Sequence, residues 1–126
     1  MRFLQLYKKD KIMNKQILLS MLAILMMTVT LMAHAPKKII LSFDRTSSTL
    51  TADIFHKVKN IDKHYISNIT IYVNDVEVNT TSIEKQENKL SEIFEYQLKN
   101  VKEGDVIQLV AKCNKFGKKS AKLIVE

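Results

Sequence analysis

One cysteine and two glycines in 126 residues exclude several chemistries at the outset. A loop that cradles phosphate needs glycines in series so that backbone amides can close on the anion, and a nucleophile elbow needs them around the strained serine. Gly104 and Gly117 stand alone. The lone cysteine, Cys113, leaves no Cys-x-x-Cys pair and cannot close a disulfide within the chain, so it is buried and inert, paired with another molecule, or bound to a ligand. A basic stripe is missing too. The formal charge is +7, but Arg2 and four lysines against the single acid Asp10 lie before residue 34, which leaves 15 basic and 12 acidic residues from His34 onward. A net of +3, with lysines alternating with acids rather than forming a basic stripe, excludes nucleic acid as a partner. The carboxylate pairs Glu84 with Glu87 and Glu92 with Glu95 fall in or beside a polar connection and read as solvated.

Long apolar runs are absent except for one. Residues 17–32 (ILLSMLAILMMTVTLM) follow Lys8, Lys9, Lys11 and Lys15 and precede Ala33-His34-Ala35. A positive flank, a short apolar core and small residues at the exit predict a removable signal peptide over residues 1–33. The run is shorter than the ~20 residues that span a bilayer. Cleavage after Ala35 would place Pro36 directly behind the cut, where its fixed φ suits an extended substrate badly, so cleavage after Ala33 is expected, with His34 as the new N-terminus. Met13-Asn-Lys also opens a signal peptide of ordinary length and is an alternative start. No cysteine near the cut offers a lipid attachment site. The expectation is a periplasmic or secreted domain over residues 34–126, free of the membrane once the signal is removed.

Beyond residue 36 the apolar residues recur with period two, β-branched types are frequent, and polar breaks come at short intervals. The pattern predicts strands at about 37–43, 49–56, 65–73, 76–80, 91–98, 105–113 and 119–125. Their inward residues are Ile39, Leu41 and Phe43; Leu50, Ala52 and Ile54; Ile69, Ile71 and Val73; Phe94, Tyr96 and Leu98; Ile107, Leu109 and Ala111; Ala121, Leu123 and Val125. Asp44–Ser48, Asn74-Asp75, Lys102–Asp105 and Asn114–Gly117 supply turn chemistry between them. The stretch 83–90 reads as a polar crossover rather than a helical turn. Seven short strands without a disulfide predict an all-β, immunoglobulin-like sandwich.

In a sandwich of this strand order, the start of the first strand, the end of the second, the start of the third and the end of the sixth share one pole. Those places hold His34, His56, His64 and Cys113, which are every histidine and the only cysteine in the chain. Parity turns His56 and Cys113 inward at the mouth of the core. Imidazole and thiolate converging there suit iron, copper or zinc rather than oxygen-seeking magnesium or calcium. Singly, each has a plainer reading: His56 a hydrogen-bonded edge residue, His64 beside Lys63 a solvated loop residue, Cys113 a small buried hydrophobe, His34 a residue of a loose terminus.

The segment His56-Lys-Val-Lys-Asn-Ile-Asp-Lys-His64-Tyr65-Ile66, followed by Cys113-Asn114-Lys115-Phe116-Gly117, resembles the ferrous-iron domain of desulfoferrodoxins and superoxide reductases over roughly residues 50–120. In that family a His-Pro segment leads to His-Tyr-Ile, and a Cys-Asn-x-His-Gly turn closes an iron site on an immunoglobulin-like sandwich, with four histidines around the iron and an axial cysteine thiolate. The resemblance implies that His56 and His64 are metal ligands and that Cys113 is the axial thiolate. His34-Ala35-Pro36-Lys37 is similar to the family's upstream His-x-Pro segment, which makes His34 a further candidate. Three features depart from the pattern. Phe116 stands where the turn histidine would be, Lys57 replaces the proline, and the first motif is two residues longer.

The implied activity is reduction of superoxide to peroxide at iron, with an external electron donor and Lys37 or Lys63 attracting the anion. Handling of copper, zinc or iron without turnover uses the same residues. If His34 is the mature N-terminus, its α-amino group and imidazole form a chelate that favours copper. A metal-free binding or structural sandwich is the third reading, since one fold hosts many functions.

Overall fold

The computed structural model describes residues 2–32 and 34–126. The chain divides into two units, 1–33 and 34–126. In the first, α1 (Arg2–Met32) is continuous, as expected of a segment with neither proline nor glycine and many Leu, Met, Lys and Gln residues. No helix among the described residues is long and apolar enough to cross a membrane. Ala33, after which cleavage is expected, lies outside the described residues.

The second unit is built from β1 (Lys38–Asp44), β2 (Thr49–Phe55), β3 (Ile66–Val73), β4 (Val76–Ser82), β5 (Ser91–Gln97), β6 (Val106–Cys113) and β7 (Lys118–Ile124). One antiparallel sheet has the order β1-β2-β5 and the other β4-β3-β6-β7. The expected seven-stranded sandwich is the observed fold. Alternation accounts for its core: Leu50, Ala52 and Ile54 of one sheet meet Ile69, Ile71, Ile107, Leu109 and Ala111 of the other, and all eight are fully buried. Each large aliphatic side chain buried in this way contributes roughly 1.5–3 kcal/mol.

Local chemistry closes the ends. Asn74 and Asp75 take φ of 49° and 65°, the two left-handed positions of the tight hairpin that joins β3 to β4. The Asp44 carboxylate accepts from the Thr46 amide at 2.9 Å and the Ser47 hydroxyl at 3.0 Å, which bends the chain from β1 into β2.

Two features set up the pole at which β2 ends and β3 begins. The crossover from β4 to β5 contains no helix and backs onto the 56–64 loop. His56 N–H donates to Leu90 O, Val58 N–H to Lys89 O and Gln86 N–H to Ile61 O. The second feature is a bulge in β3 against β6, where Ile66 pairs with Cys113 but Asn68 pairs with Lys112. Strict alternation from Ile69 and Ile71 would turn residues 64 and 66 outward. The extra residue restores both to the inward side, and Ile66 is fully buried. Period-two reading of the sequence therefore missed Ile66 as a core residue.

Candidate metal centre

His56 follows the last residue of β2 and continues its inward face, 3% exposed. Cys113 ends β6 and is 1% exposed. His64, half-buried, precedes β3 and is swung inward by the bulge. Antiparallel pairing of β3 with β6 brings these ends together. The ligand atoms of His56, His64 and Cys113 lie within 4.8 Å of one another, with His64 Nε2 3.1 Å from Cys113 Sγ. The rings of His56 and His64 meet edge to face at 4.7 Å. This buried group can hold a metal ion.

The loop that carries His64 is pinned on both sides by one residue. The Asn114 amide donates to Lys63 O at 3.0 Å and its Oδ1 accepts from the Tyr65 N–H at 3.0 Å, while the Asn114 backbone N–H donates to Tyr65 O. The neighbour of the thiol thus clamps both neighbours of the imidazole. The Lys115 N–H points at Cys113 Sγ from 3.4 Å. The turn closes where Cys113 N–H donates to Gly117 O at 3.0 Å. Gly117 has φ +89°, and a Cβ there would fall 2.8 Å from that of Ala35. Only glycine therefore lets residues 34–36 lie against the turn.

His34 borders the group in a different way. Its ring centroid is 5.2 Å from that of His64 and 6.3 Å from that of Phe116, and its backbone carbonyl lies 2.9 Å from His56 Nε2. Its imidazole stands outside the three converging ligand atoms. Phe116, in the turn after Cys113, is 58% exposed and offers no lone pair.

Burial holds the His64 pKa below its ordinary value of 6.5, and the charges of His56, His34 and Lys115 act in the same direction. Both effects favour the neutral ring, the form in which an imidazole binds a metal. Lys115, whose charge also lowers the His64 pKa, lies in the turn after Cys113; it is exposed, as are Lys37 and Lys63, the lysines that the sequence pointed to as cations of the site.

Gln86 is the residue that the sequence reading passed over. It sits among the exposed residues Glu84, Lys85 and Glu87 yet is 1% exposed, with Oε1 2.7 Å from His56 Nδ1. Nothing in the sequence marks it off from its polar neighbours; only the tertiary packing turns it inward.

A thiol and an imidazole at 3.1 Å also have the spacing of a nucleophile and its base. Cys113 is too deeply covered for a substrate carbonyl to reach it, whereas a single ion needs only the mouth of the pole. No protein-family model matches this chain, and no curated protein matches it in sequence.

Proposed function

We propose that the protein is an exported metal-binding sandwich whose His56–His64–Cys113 pole holds one thiophilic transition ion. The observation that carries this reading is the convergence of the only cysteine and two of the three histidines, from sequence positions up to 57 apart, onto ligand atoms within 4.8 Å. One thiolate and two imidazoles make a donor set for iron, copper or zinc. Three protein ligands leave a position open to an exogenous molecule.

With iron, that open position supplies the one-electron chemistry of the superoxide reductases that the chain resembles. Superoxide would gain one electron from an external donor and two protons and depart as hydrogen peroxide. Cys113 would bind the ion through sulfur and donate electron density to it, His56 and His64 would bind it through imidazole nitrogen, and Lys115 would draw the anion inward. Phe116 supplies the reason for a second reading: with no imidazole from the turn, the site also suits metal handling without turnover, with copper or zinc as cargo.

Elemental analysis of the exported protein, purified without a histidine tag, together with its absorption spectrum, separates these readings. One equivalent of iron with a thiolate-to-metal charge-transfer band supports the superoxide-reducing site. Copper or zinc supports handling. A protein that binds none of the three after anaerobic reconstitution overturns the proposal. The mass of the same sample tests export, since a chain beginning at His34 is the expected product.

A further inference from the structure

Gln86 and His56 are 30 residues apart and joined by more than proximity. The Gln86 side-chain nitrogen donates to His56 O at 2.7 Å and to Asn88 O at 2.8 Å. Carbonyl oxygens only accept, so the amide cannot be turned over, and Oε1 must be the atom facing His56 Nδ1 at 2.7 Å. An amide oxygen also only accepts, which places the proton on Nδ1. A neutral ring then keeps its lone pair on Nε2.

A second oxygen competes for that proton, because His56 Nε2 lies 2.9 Å from the His34 carbonyl. One neutral imidazole cannot satisfy both oxygens, and the one refused faces a lone pair. Gln86 is buried and held by two hydrogen bonds, so it cannot withdraw. His34 is only half-buried, and its carbonyl is the less firmly held of the two oxygens. The mismatch therefore settles on the His34 side.

We infer that Gln86 is a positioning residue that selects the Nδ1–H tautomer of His56, so that Nε2 is the metal-binding nitrogen and an entering ion displaces the His34 carbonyl. This inference rests on the metal-binding reading and names the residue that prepares the site for it. Histidine ligands commonly donate their second ring N–H to such an oxygen, and losing that partner costs about 10–100-fold in metal affinity.

Two measurements test it. In the metal-free exported protein at pH 8, long-range proton–nitrogen NMR should show His56 protonated at Nδ1 alone, and zinc should shift the Nε2 resonance. A proton on Nε2, alone or together with one on Nδ1, overturns the assignment without any variant being made. Cobalt titration followed by the thiolate charge-transfer band should then show Gln86→Leu binding about 10–100-fold more weakly than the parent while keeping the band. Equal affinities overturn it. Parent protein that takes up none of zinc, cobalt, iron and copper sinks the metal site itself, whereas uptake with the wrong tautomer sinks only the role of Gln86.

Discussion

His64 Nε2 and Cys113 Sγ lie 3.1 Å apart although 49 residues separate them in the chain. The contact follows from the β3–β6 pairing, in which Ile66 stands opposite Cys113, and from the bulge that turns His64 toward the same side. Substitution of either partner should therefore act on the site and leave the sandwich intact. Cys113→Ser and His64→Ala should each lose more metal affinity than the ~10–100-fold typical of a supporting residue, and Cys113→Ser should also lose the charge-transfer band. Titration with cobalt, with far-ultraviolet circular dichroism as the check on folding, measures both. An unchanged band in Cys113→Ser would remove the thiolate from the ligand set.

Asn114 should matter through geometry alone. Asn114→Ala removes the side-chain clamps on Lys63 and Tyr65 while leaving every metal-binding atom in place. The expected outcome is weaker cobalt binding with the charge-transfer band retained, and faster amide exchange at Tyr65. Unaltered exchange there would show that the loop is held by other contacts.

Gly117→Ala should destabilise the domain by more than about 1 kcal/mol, because alanine is strained at φ +89°. Part of the loss comes from the clash with the Ala35 Cβ, so Ala35→Gly introduced with it should recover that part but neither the φ strain nor the 3.1 Å contacts with the Ala35 backbone. A double-mutant cycle in urea measures the coupling. Simple additivity would mean that the two residues do not meet.

In the core, Leu109→Ala should cost about 2–5 kcal/mol, a large share of the roughly 5–15 kcal/mol that holds a domain together. Leu109 is fully buried opposite Ile71. Val76→Ala, at a position 64% exposed, should stay within about 0.5 kcal/mol. Urea midpoints of the two variants provide the comparison.

Two carboxylates should give stability profiles of opposite slope. Burial raises the Glu92 pKa above its ordinary 4.5, partly offset by the Glu87 N–H that donates to it, and the Glu87 charge raises it further. Its contribution is present below pH 4.5 and is lost as pH rises through the folded pKa, so Glu92→Gln should gain on the parent over that range. Asp105 is lowered below 3.8 by the Lys102 N–H and the Asn74 amide. Its contribution is present above pH 3.8 and is lost as pH falls through the folded pKa, so Asp105→Asn should lose most relative to the parent near neutrality. Urea unfolding between pH 3 and 8 reads both slopes, and parallel profiles would contradict the assignment.

The sequence by itself determined the strands, because period-two alternation and left-handed turn residues are local properties of the chain. The observed strand limits fall within two residues of those read from the pattern, and Asn74-Asp75 forms the expected hairpin. The strand order also made the shared pole of His56, His64 and Cys113 legible, since antiparallel pairing dictates which ends meet. Tertiary structure alone decided the rest. A bulge is a mismatch between two strands and cannot be seen in one of them, so Ile66 and the inward turn of His64 were hidden. Gln86 reads as one polar residue among several until the crossover packs on the 56–64 loop and burial leaves its amide with only carbonyl oxygens and an imidazole as partners. The surroundings of His64 likewise depend on how the turn after Cys113 folds back, since that brings Lys115 near enough for its charge to lower the His64 pKa.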